Sequence, residues 1–169
     1  MEQNWHHNQP DACITMIPEI NNMDTYQVKT IETDLEIQQC RDVIFLLRPH
    51  LDKNKWVSMI LEMMQNEKYC IAGVMDNGKV AAFAGYRIMT SLHSGNIIYI
   101  DDLCTLESYR GKGLASQLLN HVKAIAVSKN KDMVVLDTGF NNNTAQKLYL
   151  QNGFQLAALH LSCDLRMQG

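Results

Sequence analysis

From Tyr26 to Glu32 apolar and polar residues alternate, the period-two pattern of a half-buried strand. Beyond it Leu35, Ile37, Val43, Ile44, Leu47 and Leu51 fall among Glu36, Gln38, Arg41 and Asp42, spacing that predicts a first helix stopped near Pro49. Trp56 to Gln65 continues as a second helix with Trp56, Ile60, Met63 and Met64 on one face; methionines so placed are adaptable core or the floor of a pocket. Two apolar runs, Tyr69 to Met75 and Lys79 to Met89, are joined by Asp76-Asn77-Gly78, whose Asn-Gly pair predicts a tight hairpin. Gly95 and Asn96 then punctuate before a third long strand, Ile97 to Leu106.

Leu114, Leu118, Leu119, Val122, Ile125 and Ala126 recur at helical spacing and give a helix with one face for a sheet. Asp132 to Thr138 reads as a short strand, and its Val134-Val135-Leu136 run predicts burial on both faces, a central position and a parallel neighbour. Asn142 to Asn152 reads as a helix ended by Gly153, and Phe154 to Leu165 as closing strands. The order β, α, α, β, β, β, α, β, α, β, β predicts an α/β chain: a mixed sheet with antiparallel front strands and one βαβ crossover. Residues 1–25, polar and without sustained period around Pro10, Pro18 and Asn21-Asn22, are expected to be an N-terminal extension, and 26–169 a single domain.

The bulk properties leave that picture standing. A chain of 169 residues suits one full hydrophobic core, and 46% apolar with 20% charged residues is ordinary for a folded protein. A net charge of −3 argues against general nucleic-acid binding. No apolar run approaches the ~18 residues of a membrane span, and Glu2, His6, His7 and Asp11 do not make a signal peptide, so the cytoplasm is the expected compartment. Cys13, Cys40, Cys70, Cys104 and Cys163 are scattered without a CxxC pair, and His6-His7 lacks further ligands; no disulfide framework or metal site is predicted.

The candidate chemistry lies in Tyr109-Arg110-Gly111-Lys112-Gly113-Leu114-Ala115-Ser116, a glycine-rich turn between a strand and a helix. Helix-start amides have no intrahelical acceptor and the dipole end is positive, so an anion there gains several hydrogen bonds at once. Gly111 and Gly113 admit close backbone approach, Arg110 and Lys112 add positive charge, and the segment predicts a phosphorylated ligand. It is not a P-loop, since Lys112 precedes the second glycine and Leu114 follows it; nor is it a dinucleotide fingerprint, lacking the third glycine. An ordinary helix-capping turn is the plainer alternative.

Arg110, Gly113 and Ala115 form RxxGxA, which resembles the acetyl-CoA signature of the GCN5-related N-acetyltransferases, the GNAT family. A second motif strengthens the resemblance: Asn142, Ala145, Leu148-Tyr149 and Gly153-Phe154 match NxxAxxLYxxxGF at the expected place after the crossover. The resemblance covers roughly residues 26–165 and is most similar to a bacterial subgroup with Asp-Asp-Leu before the turn and Leu-Asp-Ser/Thr-Gly on the next strand, here Asp101-Asp102-Leu103 and Leu136-Asp137-Thr138-Gly139. It implies an acyl-CoA N-acyltransferase fold in which strands ending at Thr105 and Thr138 splay apart to hold acetyl-CoA. Leu103, Cys104 and Thr105 would lend backbone groups to the pantetheine arm, and Arg110, Gly111, Lys112, Gly113, Leu114, Ala115 and Ser116 would hold the pyrophosphate. Asn142 would bond the pantetheine amides, Tyr149 would sit beside the sulfur, and an N–H near Cys104 would polarise the acetyl carbonyl.

Acetyl transfer by direct attack needs a neutral amine, and a lysine-like amine of pKa ~10 is neutral in only about one molecule in a thousand near pH 7, so a base must collect its proton. Asp101 and Asp102 are the candidates. Neighbouring strand residues point to opposite faces, so one at most lines the cleft unless a bulge re-aims them; the resemblance implies a bulge, which leaves both open. Tyr149 is the candidate general acid for the leaving thiolate, against the plainer reading of a packed helix aromatic. Asp137 and His160 fall near the cleft without an assigned role, and a Cys104 thioester with His121 as base is disfavoured. The expected partners are acetyl-CoA and an amine acceptor, with acids favouring a cationic one; nucleic acid and membrane are not expected, and a homodimer is compatible. A non-catalytic acyl-CoA-binding regulatory domain is the rival, and an O-acyltransferase or longer-acyl enzyme a third reading that turns on the pocket near Trp56, Met59 and Met63.

Overall fold

A computed structural model of the chain describes residues 26–165. The expected N-terminal extension, with His6 and His7, lies outside them. Five strands form one sheet in chain order: β1 (Val28–Ile31), β2 (Tyr69–Asp76), β3 (Lys79–Ser91), β4 (Gly95–Thr105) and β5 (Met133–Leu136). The first four run antiparallel, and β5 lies parallel to β4 after the crossover helix α4 (Leu114–Ser128). The β2–β3 hairpin turns at Asn77 and Gly78, both at positive φ, as the Asn-Gly pair demands.

The single helix expected before Pro49 is two, α1 (Asp34–Gln39) and α2 (Arg41–Leu47). Cys40 breaks it by bonding three residues back, its amide 2.9 Å from the Ile37 carbonyl. Thr33 and Glu36 form a capping box at the start of α1. Arg48, at ψ 66°, ends α2 one residue before Pro49, where proline's ring disfavours helical backbone. Helices α3 (Trp56–Glu67) and α5 (Asn143–Gln151) fall where periodicity places them.

Strand alternation separates two cores. Ala72, Val74, Ala84, Tyr86, Ile98 and Ile100 pack with Leu114, Leu118, Leu119 and Val122 of α4. On the other face Tyr69, Ile71, Val80 and Phe83 meet Ile37, Val43, Ile44, Trp56 and Ile60 of α1 to α3. Helix α5 joins the α4 side through Leu148 and Tyr149.

Two expectations fail at the C-terminal side. Strand β5 is at the sheet's end rather than central, and its residues are half-buried or exposed; Val134 and Leu136 pack toward α4. A short apolar run cannot by itself distinguish one covered face from two. The closing strands expected over Phe154 to Leu165 are absent from the described residues; this segment joins no ladder, and Leu156, Leu159, Leu161 and Leu165 are exposed. Alternation marks strand potential, but a strand also requires an edge to pair with. No described helix is long and apolar enough to cross a membrane.

Candidate active site

Strands β4 and β5 pair over only four rungs, from Ile97 with Met133 to Ile100 with Leu136. Beyond that rung β4 continues along β3 to Thr105 while β5 ends at Leu136, short of the expected Thr138, so the parallel pairing stops at Ile100 and Leu136. Leu103, Cys104 and Thr105 pair with Ala84, Phe83 and Ala82, which leaves alternate backbone groups of β4 turned away from β3 where β5 no longer pairs. The Thr105 hydroxyl is buried and, among the described residues, unpartnered.

At the end of β4 a short 3-10 turn (Glu107–Tyr109) leads into the glycine segment. Gly111 and Gly113 have φ of 77° and 79°, and nothing lies within 4 Å of a Cβ built on either. Gly113 is the N-cap of α4 and supplies no side-chain cap, so the amides of Leu114, Ala115 and Ser116 face outward without an intrahelical acceptor. The turn is braced from behind. Tyr109 donates its phenolic hydrogen to Asp76, its ring meets Tyr26 edge-on at 6.3 Å, and Lys112 Nζ sits 4.7 Å from the Tyr109 ring centre. Gln117 Nε2 donates to the Tyr26 carbonyl at 2.6 Å. Sequence reasoning missed Tyr26 and Asp76, whose partners are distant in the chain. Arg110, mostly exposed, lies 3.6 Å from Glu107.

Helix α5 is anchored to the same region. Asn142 caps it by accepting from the Ala145 amide at 3.1 Å, and Gln146 Nε2 donates to the carbonyls of Gly139 and Phe140 at 3.0 and 2.9 Å. Asn152 Nδ2 donates to Ser116 Oγ at 3.0 Å and joins the end of α5 to the start of α4. Tyr149 packs edge-on against Phe154 at 5.9 Å; burial raises its phenol above the ordinary value, and its hydroxyl makes no hydrogen bond among the described residues. A neutral phenol at the margin of the α4-side core is able to donate a proton to a ligand atom.

The strand does bulge, and the bulge settles where the paired aspartates point. Gly85 pairs with Asp102 and Tyr86 with Ile100, so Asp101 is the inserted residue. Both carboxylates therefore face the α1–α3 side. Both Asp102 oxygens are engaged: Arg48 Nε and Nη2 donate to Oδ1 at 3.0 and 2.8 Å, and Tyr69 donates to Oδ2 at 2.9 Å. Gly85 makes the last contact geometrically feasible, since a Cβ there would stand 1.9 Å from the Tyr69 hydroxyl. Asp101 accepts from Arg87 Nε through Oδ2 at 3.0 Å, and Arg87 also holds Glu67. Burial raises the Asp101 carboxyl despite that guanidinium, with Asp102 and Glu67 adding in the same direction. Arg48, Arg87, Tyr69 and Gly85 carried no motif and were legible only once the register was known.

Asp137 lies one residue past the last β4–β5 rung; it receives the Tyr99 phenol, and His160 Nδ1 lies 2.8 Å from its Oδ2. Cys104 belongs to the α1–α3 side while His121 rides on α4 across the sheet. Burial pushes the Cys104 thiol up and the His121 imidazole down, and no thiolate–imidazole pair forms. Shallow hollows beside Arg41 and Asp42 contain none of these residues.

The arrangement sets an open, glycine-flanked helix start at Gly113 beyond the end of β4 and two guanidinium-held carboxylates on the α1–α3 side of the same strand. The acetyltransferase (GNAT) family model matches residues 32–154. The uncharacterized N-acetyltransferase YhdJ of Bacillus subtilis (strain 168) is 25% identical over 122 residues, covering 72% of this chain and 86% of that protein. YhfO of the same organism, also an uncharacterized N-acetyltransferase, is 28% identical over 93 residues, 54% of this chain and 62% of that one. The fold is similar to aminoglycoside N-acetyltransferase AAC(6')-Iy in complex with CoA, with TM-score 0.70, 18% identity and coverage of 83% and 94%. It is likewise similar to a Trypanosoma brucei acetyltransferase, with TM-score 0.68, 21% identity and coverage of 82% and 99%. A match over residues 32–154, well over half of the chain, places the protein in the GNAT acetyltransferase family.

Proposed function

We propose that the protein transfers the acetyl group of acetyl-CoA to a cationic primary amine by direct attack of the amine on the thioester. The observation that carries this reading is that β4 runs on past its last rung with β5, Ile100 with Leu136, carrying Asp101 and Asp102 and leading into the glycine turn, with Tyr149 packed on the α4 side. The open amides of Leu114, Ala115 and Ser116, with Arg110, Gly111, Lys112 and Gly113, would take the pyrophosphate. Backbone groups of Leu103, Cys104 and Thr105, with Asn142, would hold the pantetheine arm. Bound acetyl-CoA supplies the activated acyl group. Tyr149 donates a proton to sulfur, and an N–H near Cys104 polarises the acyl carbonyl.

Asp101 and Asp102 form the acidic wall met by the amine. Asp101 keeps Oδ1 unpartnered among the described residues, while Asp102, with both oxygens engaged, holds the wall's geometry. The AAC(6')-Iy structure with a CoA-acetylneamine bisubstrate analogue concerns a neighbour of the same fold, and supports testing small polyamines first. Incubating the protein with acetyl-CoA and spermidine, neamine or a lysine-containing peptide, and identifying N-acetylated product by mass spectrometry, tests the reading. A homodimer belongs to the same proposal: a second copy covering exposed Leu156, Leu159 and Leu161 would sediment at twice the 19.3 kDa chain mass.

A further inference from the structure

The acidic face is unevenly neutralised. Asp101 has Arg87 at 3.0 Å and Asp102 has Arg48 at 2.8 Å, both permanent cations. Among the described residues Asp137 has no guanidinium or ammonium partner; it has the Tyr99 phenol and the His160 imidazole, both on Oδ2. The three side chains come from β4, from just past the end of β5 and from the segment after α5, and they meet beside the last β4–β5 rung. Tyr99 itself faces Asp101 and Arg87 in addition to Asp137.

We infer that His160 is the proton acceptor for the amine, with Asp137 its positioning residue. The inference rests on the acetyltransferase reading above. A carboxylate 2.8 Å from Nδ1 holds the imidazole proton on that nitrogen and directs the lone pair of Nε2 outward. The Tyr99 phenol, kept protonated by burial and by Asp137, donates to the same carboxylate oxygen and fixes its orientation. His160 is 67% exposed and Asp137 44% exposed, so the pair is open to a ligand rather than locked in a core. Asp101 and Asp102 are poorer acceptors, because a proton placed on either weakens an existing guanidinium pair.

The proton balance closes. His160 Nε2 takes one proton from the ammonium, and the freed nitrogen pair forms the C–N bond at the acyl carbon. The C–S bond then breaks with its electron pair leaving on sulfur, which takes the Tyr149 proton. The second proton, lost as the amide forms, returns to Tyr149 through water. His160 releases its proton to solvent, the net proton of the reaction.

The test is the pH profile of kcat/KM for spermidine, neamine and a lysine-containing peptide, in the wild type and in His160→Gln, Asp137→Asn and Asp101→Asn variants. Calorimetric titration with CoA checks that each variant still folds and binds. The inference expects His160→Gln to lower kcat by ~10²- to 10⁴-fold and to lose the acid limb of the profile. Added imidazole should restore part of the activity of His160→Ala, which a structural role would not allow. An active wild type whose His160→Gln variant keeps its rate and acid limb overturns the inference alone. A wild type that binds CoA but acetylates no amine overturns the acetyltransferase reading and this inference with it.

Discussion

The Tyr69 hydroxyl reaches Asp102 across the β3 position that carries no side chain, Gly85, at a hydrogen-bond distance of 2.9 Å. Gly85 and Asp102 are register partners next to the bulge, so the glycine, the phenol and the paired aspartates are a single device. It turns both carboxylates to one face and fixes Asp102 between Tyr69 and Arg48.

Gly85→Ala should therefore destabilise the fold by about 1–3 kcal/mol, because the new methyl group overlaps the buried Tyr69 ring. Tyr69→Phe removes a hydrogen bond to a charged, mostly buried acceptor and should cost about 1.5–3 kcal/mol. The two changes act on one contact, so the double variant should cost less than their sum; denaturant midpoints measure all three.

At the glycine turn the expectation is different, since nothing crowds Gly113. Its φ of 79° alone penalises a side chain, so Gly113→Ala should cost about 1–2 kcal/mol locally and weaken CoA binding. Gly139→Ala, at an open position with no positive φ, is the control that should leave both unchanged. Isothermal titration with CoA reads the difference.

Tyr149→Phe keeps the packing against Phe154 and deletes the unpartnered hydroxyl. The turnover number should fall by ~10²- to 10⁴-fold with little change in CoA affinity. Unchanged turnover would remove the phenol from the proton path.

Glu36 supplies a pH prediction on stability. Its carboxyl is held down at about 2, below the ordinary 4.5, first by Lys29 and then by the amides of Glu32 and Thr33. A depressed carboxyl stabilises the folded state above the unfolded value, and that contribution fades as pH falls from 4.5 toward 2. Wild type should thus exceed Glu36→Gln in stability at neutral pH, with the gap narrowing below pH 4.5 and closing near 2, as denaturation series at each pH would record.

The geometry of the glycine turn and of the α5 cap was legible in the chain because its signals are local. Gly111, Gly113 and Asn142 act through backbone conformation and capping within a few residues, and Asn77-Gly78 sets its hairpin the same way. The setting of the paired aspartates was not. Whether Asp101 or Asp102 faced the cleft depended on a bulge opposite Gly85, and Arg48 finds Asp102 across 54 residues of sequence. The edge position of β5 and the unpaired run after Phe154 escaped for a related reason: periodicity reports which face is apolar, and not what comes to cover it.

The most direct test of the central claim is thiol release from acetyl-CoA, followed with spermidine, neamine and a lysine-containing peptide. The account predicts amine-dependent release of CoA in equal amount to N-acetylated product, abolished or strongly reduced in Tyr149→Phe. Tight acetyl-CoA binding with no release above spontaneous hydrolysis for any amine would contradict it and leave an acyl-CoA-binding domain without turnover.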